Sequence, residues 1–178
     1  MLSIILAALI CFIQFAFSDY CGTNAFAIGF EVRHSGMVGL ICSKPNCMDK
    51  KFLECPERPE FRRGCPGPNE LVGAIEKTVD DELQMMCCEF ENLGKNSKIR
   101  YAQVRLRRGE FYEGEEIENK DGDVTKFDFI KDINVYRDNF GIPYYNLTVY
   151  TLDCSNFFDE KPAWFQRSQW PYFTFHKN

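Results

Sequence analysis

The stretch Met85-Met86-Cys87-Cys88-Glu89-Phe90 places two cysteines side by side in the middle of the chain. A disulfide between adjacent cysteines requires a strained peptide geometry, so we expect Cys87 and Cys88 to bond to two different partners. This pair is therefore predicted to join separate parts of the fold. The remaining cysteines beyond residue 18 are Cys21, Cys42, Cys47, Cys55, Cys65 and Cys154.

The first 18 residues have the features of a secretory signal peptide. Leu2 to Phe17 carries no charged side chain, and Ala16 and Ser18 place small residues three positions and one position before a cleavage site. An uncleaved membrane anchor is the alternative, but the apolar stretch is short for a bilayer and Gln14 interrupts it. We therefore predict cleavage after Ser18, secretion to the extracellular space, and no later transmembrane segment.

Cleavage would remove Cys11 and leave 160 residues with eight cysteines. An even number in a secreted chain predicts up to four disulfides, with 105 connectivities open. Two buried free thiols at Cys87 and Cys88 are the alternative, which an oxidising compartment disfavours. We expect all eight to be paired, and we expect Cys154 to pair with Cys87 or Cys88.

Composition narrows the function classes. The net charge of −5 argues against nucleic acid as a partner. His34 and His176 are the only histidines, and neither lies in a catalytic motif. The sequence also contains no CxxC pair of the kind that binds zinc. We predict a non-enzymatic protein without a metal or a cofactor.

Local patterns predict mostly β-structure. Alternation over residues 26–32 and the apolar run 37–42 indicate a hairpin, and Asp121-Gly122 is a strong hairpin turn. The run 144–152 carries substantial side chains on both faces, which predicts a central strand. Residues 44–68 hold five of the eight prolines, so we expect a loop-rich, disulfide-pinned segment.

One helix is predicted near residues 79–87. Thr78 and Asp81 resemble a capping box, and Val79, Leu83 and Met86 recur at helical spacing. The fold class is therefore predicted to be α+β and β-rich, a small secreted domain stabilised by disulfides. We assign residues 1–18 to the signal peptide, 19–154 to the cysteine-rich domain, and 155–178 to a tail that carries eight aromatic residues. We expect the tail to pack back on the domain; a partner or a membrane surface is its alternative contact.

Charge is segregated between residues 95 and 123. A basic cluster is followed by an acidic one, so the two segments could pair as neighbouring strands and neutralise each other. Alternatively, the basic segment faces solvent and binds sulfated glycans. The basic residues are Lys95, Lys98, Arg100, Arg105, Arg107 and Arg108. The acidic residues are Glu110, Glu113, Glu115, Glu116, Glu118, Asp121 and Asp123.

One sequon is present, Asn146-Leu147-Thr148. Secretion would expose it to the glycosylation machinery, so we expect a glycan at Asn146. Attachment would require Asn146 to face solvent while Leu147 and Val149 face inward.

An ordered set of motifs resembles the Wart domain of the Warthog proteins, a branch of the nematode hedgehog-related proteins. The resemblance covers about residues 20–154. Its motifs are YCGTNAFAIGFEV (20–32), GLICSKPNC (39–47), GCPGPNELVGAI (64–75), QMMCCEFENL (84–93), GEFYEGEEI (109–117) and FDFIKDI (127–133).

The resemblance implies a secreted protein that acts in cell–cell signalling, development or epidermal and cuticle biology, with an unknown receptor or matrix partner. A structural component of the extracellular matrix or cuticle is the alternative function. Full-length relatives also carry a C-terminal Hog autoprocessing domain. Only 24 residues follow Cys154, so we expect a Wart-only member without autoprocessing or sterol attachment.

Overall fold

The computed structural model describes residues 17–48, 51–78 and 80–155. These residues form antiparallel sheets, with helical structure only in single turns at Asn46–Met48 and Leu93–Asn96. The strands are β1 (Phe17–Tyr20), β2 (Phe26–Val32), β3 (Val38–Ser43), β4 (Phe61–Arg62), β5 (Glu70–Lys77), β6 (Leu83–Glu89), β7 (Ser97–Leu106), β8 (Glu110–Glu113), β9 (Glu116–Glu118), β10 (Val124–Arg137) and β11 (Pro143–Asp153).

The strands are arranged in three sheets. Sheet A has the order β1-β5-β6-β4, sheet B the order β3-β2-β8, and sheet C the order β7-β11-β10-β9. The predicted hairpin of β2 and β3 is confirmed, and Asp121-Gly122 lies in the turn between β9 and β10, where Gly122 has φ +84°. The central position predicted for residues 144–152 is also confirmed, because β11 pairs with β10 on one side and β7 on the other.

The predicted helix near residues 79–87 is wrong, whereas the small β-rich domain is confirmed. Thr78 and Glu82 close a tight turn: the Thr78 amide donates to the Glu82 carbonyl at 2.9 Å, and the Glu82 amide donates to the Thr78 hydroxyl at 3.2 Å. Asp81 occupies the left-handed region at φ +65° and pairs with Lys77 at 2.6 Å. The apparent capping box is therefore a hairpin turn into β6. Val79 lies outside the described residues.

Strand geometry explains why adjacent cysteines bond to different partners. Successive side chains in a strand point to opposite faces, and β6 is buried on both. Cys87 belongs to one apolar cluster and bonds to Cys65, while Cys88 belongs to another and bonds to Cys55. Two different partners for this pair were predicted, and the structure confirms them.

The other two disulfides are Cys21–Cys42 and Cys47–Cys154. The pairing of Cys154 with Cys87 or Cys88 is therefore wrong. The Cys154 amide donates to the Thr125 carbonyl at 2.8 Å, and the Asn46 side chain accepts from the Val124 amide at 2.9 Å. These bonds bring the turn that carries Cys47 beside the end of β11, a proximity that only the tertiary fold creates.

Candidate interaction surface

The basic cluster lies on and beside β7, an edge strand of sheet C. Lys95 and Lys98 are exposed at its beginning, and Arg105, Arg107 and Arg108 are exposed at its end. Seven residues separate Lys98 from Arg105, which corresponds to about 20 Å along a strand. The sequence-predicted patch is therefore divided into two groups at opposite ends of β7.

Arg100, between the two groups, is engaged inside the protein. Its guanidinium contacts the Glu115 carboxylate at 2.7 Å and the Asp128 carboxylate at 3.2 Å. Two anionic partners neutralise its charge, so Arg100 belongs to the fold rather than to a free basic surface.

Asp128 is the centre of a polar cluster between sheets B and C. Its side chain is 2% exposed and accepts a hydrogen bond from the Thr151 hydroxyl in addition to the Arg100 contact. The Tyr112 hydroxyl lies 3.5 Å from the same carboxylate. Burial, together with this negative charge, raises the pKa of Tyr112. The cluster ties β7, β8, β10 and β11 together at a buried point.

The basic and acidic segments do not pair as neighbouring strands, so that interpretation is wrong. β7 pairs with β11, whereas the acidic β8 pairs with β2 and β9 pairs with β10. Arg100 and Glu115 form an ion pair between them, but Arg105, Arg107 and Arg108 have no ion-pair partner among residues 17–48, 51–78 and 80–155. The end of β7 thus keeps its positive charge.

The turn between β2 and β3, the end of β5 and the turn between β7 and β8 meet at this end of β7. The Arg108 guanidinium lies against Gly36, and the His34 ring lies against Gly109. Lys77 donates to the Gly36 carbonyl at 2.8 Å. His34 is therefore a turn residue. We call Arg105, Arg107 and Arg108 the basic end.

Arg105 lies on the outer face of sheet C, where its guanidinium is 4.4 Å from the centre of the Tyr144 ring. Tyr144 in turn stacks on Tyr136, with ring centres 5.6 Å apart and planes inclined by 19°. A cation above an aromatic face is held by the ring quadrupole. This row fixes the orientation of Arg105, so its charge is presented from a rigid position.

Comparison with known proteins identifies the family. The model of the Warthog N-terminal signalling domain matches residues 18–155. Warthog protein 3 of Caenorhabditis elegans is 57% identical over 164 residues, which cover 92% of each chain. This chain belongs to the Warthog family.

Two further Warthog relatives come from the same nematode. Warthog protein 5 is 40% identical over 87% of each chain. Warthog protein 1 is 26% identical over 78% of this chain and 36% of that protein. No solved structure matches the chain.

Within this Warthog domain, the sequon residue Asn146 lies on the outer face of β11, between Arg105 of β7 and Asn134 of β10. Leu147 and Val149 are fully buried on the opposite face. Asn146 is itself only 8% exposed, and its Oδ1 atom is sealed from solvent without a hydrogen-bond donor. Glycosylation of Asn146 stays a prediction, now at a crowded position.

Sequence reasoning missed Lys131, which is 9% exposed. Its ammonium donates to the carbonyls of Cys65 and Gly67 at 2.6 and 2.8 Å, and burial lowers its pKa. Lys131 lies where the register between β10 and β11 shifts, so it leaves the regular alternation and reaches the loop. A charged residue within the apolar run 127–133 was the available signal.

No helix in the described ranges is long and apolar enough to cross a membrane. The aromatic residues of the tail, from Phe157 to Phe175, lie outside the described residues.

Proposed function

We propose that this Warthog-family chain is a secreted protein of the hedgehog-related class that signals between cells. The observation that carries the proposal is the match of residues 18–155 to a domain described as signalling. Four disulfides support it, because such bonds persist in oxidising compartments and are rare in the cytosol.

Secretion is tested first, with a C-terminally tagged full chain expressed in animal cells. We expect the protein in the medium, without residues 1–18 and without free thiols. A matched variant that lacks residues 2–18 should stay inside the cell in reduced form. Retention of the wild type in the cell would contradict the proposal.

A signalling role and a structural role in matrix or cuticle differ in where the protein acts. The tagged protein is expressed from a small group of cells in an animal that lacks the endogenous gene. Rescue of distant cells, with diffuse spread of the tag, is the result expected of a signal. Accumulation only in the matrix of the producing cells, without rescue at a distance, would favour the structural role.

We further propose that the basic end binds sulfated glycans. Its three arginines are exposed and lack ion-pair partners in the described chain, so their charges would attract the closely spaced anions of a glycan. The protein is loaded on a heparin column at low salt, and we expect retention that weakens steeply as salt is added.

Matched charge reversals test which end of β7 binds. Arg107→Glu with Arg108→Glu should abolish retention, while Lys95→Glu with Lys98→Glu should largely preserve it. The two double variants change the net charge equally and both alter exposed residues. Flow-through of the folded wild type, or equal loss in both variants, would refute a site at the basic end.

A further inference from the structure

The turn between β10 and β11 holds large apolar side chains in solvent. Phe140 is 89% exposed, Ile142 is 50% exposed, and Tyr136 at the base of the turn is 45% exposed. We call residues 138–142 the hairpin tip. Exposed apolar residues are common when scattered, but a group on one protruding turn marks a contact surface.

The hairpin tip is a rigid structure. The Asp138 carboxylate accepts hydrogen bonds from the amides of Phe140 and Ile142 at 2.9 and 3.0 Å, and the Asp138 carbonyl accepts from Gly141 at 2.9 Å. Arg137 donates to the Gly141 carbonyl at 3.0 Å. Gly141 has φ +77°, which a residue with a side chain rarely adopts. These bonds hold Phe140 and Ile142 in fixed positions on the exposed turn.

Polarity changes in order along the hairpin. Phe140 and Ile142 are at the tip, and Tyr144 lies two residues behind Ile142, or about 7 Å along the strand. Arg105 covers Tyr144 and pairs in register with Asn146, a further two residues back. On the face that carries Tyr144, apolar groups therefore come first, then the phenol rings, then the Arg105 guanidinium, while the Arg137 guanidinium lies at the tip itself, against the Gly141 carbonyl.

This order matches the layers at the surface of a lipid bilayer. Tyrosine rings prefer the headgroup level, with apolar side chains deeper and arginine at the phosphates. Interfacial segments bury their apolar groups about 5–10 Å deep, and basic residues add attraction to anionic lipid. A protein partner would need a deep pocket for a narrow turn, while a bilayer accepts such a shape without one.

We propose that the hairpin tip inserts into the interface of a membrane that contains anionic lipid, with Arg105 at the headgroups. The inserted groups are Phe140 and Ile142. This attachment goes beyond the proposed signalling role and would concentrate the secreted protein at the surfaces of the cells that it reaches.

The test uses the purified full chain and sedimentation with vesicles of phosphatidylcholine, with or without phosphatidylserine. We expect the wild type to sediment with the anionic vesicles. Phe140→Ser with Ile142→Ser should lower the partition coefficient at least about tenfold, because two apolar groups leave the bilayer. Phe111→Ser is the matched control: Phe111 is 66% exposed on β8, and its loss should change nothing.

Two further measurements test the role of the Arg105 charge and separate lipid binding from glycan binding. Arg105→Glu should lower binding to anionic vesicles severalfold and leave binding to neutral vesicles unchanged. The Phe140/Ile142 double variant should still be secreted with four disulfides and should still bind heparin, which separates this proposal from the proposed function.

Three results would overturn the inference. The wild type could fail to sediment with either kind of vesicle. The Phe140/Ile142 double variant could bind as well as the wild type, which would place the lipid contact elsewhere in the chain. The wild type could bind to cells through protease-sensitive sites but not to vesicles, and the double variant could lose that binding to cells. This result would identify a protein pocket as the partner of the tip.

Discussion

Sheet A with its loops and sheet C are stabilised in different ways. The segment 44–68 has five of the chain's eight prolines, and its described residues, 44–48 and 51–68, contribute only one two-residue strand and one helical turn. Three of the four disulfides join residues that precede position 89. Sheet C instead has its two longest strands paired over most of their length, with Phe127, Phe129, Leu147 and Val149 fully buried.

The difference indicates what the cross-links do. Proline-rich loops make few repeated backbone bonds, so covalent links replace them there. The β10–β11 hairpin instead has a long ladder of backbone pairing, and it buries its inner aromatic side chains against β2. Its outer face and its tip are therefore free to carry arginine, tyrosine and exposed apolar groups, which the fold does not need inside.

The largest expected loss of stability comes from removing a disulfide in the part of the chain before residue 89. Cys65→Ala with Cys87→Ala opens a loop of 22 residues, and Cys21→Ala with Cys42→Ala opens one of 21. Because the unfolded chain gains entropy when either loop opens, each double variant should lose about 3 kcal/mol of unfolding free energy. Cys65 and Cys87 are buried while Cys42 is exposed. The first pair should lose about 1 kcal/mol more through packing.

Urea unfolding of both double variants measures that comparison. Equal losses in the free energy of unfolding would mean that loop closure alone determines the contribution of each bond. A larger loss for the exposed pair would contradict the expected role of burial.

A slightly smaller loss of stability is expected from a substitution in sheet C. Asp128→Ala removes a buried carboxylate, which leaves the Thr151 hydroxyl without its acceptor and the Arg100 guanidinium with only the exposed Glu115, so we expect a loss of about 3 kcal/mol. Glu115→Ala is the control, because Glu115 pairs with the same arginine but its side chain is 67% exposed. It should cost less than about 1 kcal/mol, and similar losses in both variants would refute a special role for the buried group.

The cysteine pairing and the turns show where sequence reasoning succeeded and failed. Gly122 and the alternation over residues 26–32 are local signals, and the strands they predict are present. Leu83 and Met86 fit a helix as well as a strand buried on both faces, because the continuous apolar run 85–88 satisfies either period. What decides for β6 is its pairing with β5 across the turn at 78–82 and with β4, which lies more than 20 residues earlier in the sequence.

Long-range pairing also divided the candidate surface. Six basic residues in 95–108 predicted one patch, but the partners of Arg100 come from β10 and from residue 115. The stack of Tyr136 on Tyr144 depends on the register of β10 against β11. No spacing within either strand reveals that register before the turn length is known.

A pH dependence of stability is expected from Glu70, the first residue of β5 in sheet A. The hydrogen bond from Arg62, opposed by burial and aided by the Gly67 amide, lowers the pKa of Glu70 below its ordinary 4.5. A carboxylate with a lowered folded pKa stabilises the protein above its unfolded pKa, and that stability is lost as the pH falls through the folded value. Glu70→Gln should lower the free energy of unfolding by about 1 kcal/mol at pH 7 and hardly at all at a pH below the folded pKa of Glu70.

Unfolding midpoints of wild type and Glu70→Gln at several pH values check this. The two curves should converge as the pH falls below about 4.5. A difference that persists in strong acid would mean that shape, not charge, explains the effect of the substitution.

The smallest effect concerns the sequon on sheet C. Leu147 is fully buried and Asn146 is on the opposite face, so a glycan on Asn146 would leave the sheet between Arg105 and Asn134. Its transfer to the chain before folding would avoid the crowding seen in the folded sheet. We expect one glycan-sized mass on the secreted protein, removed by glycosidase and absent from Thr148→Val, with a stability change below about 1 kcal/mol. Thr148→Ser keeps the sequon and should keep the glycan. A secreted wild type without the added mass would show that Asn146 is unmodified, and the outer face of sheet C would then be bare around Arg105.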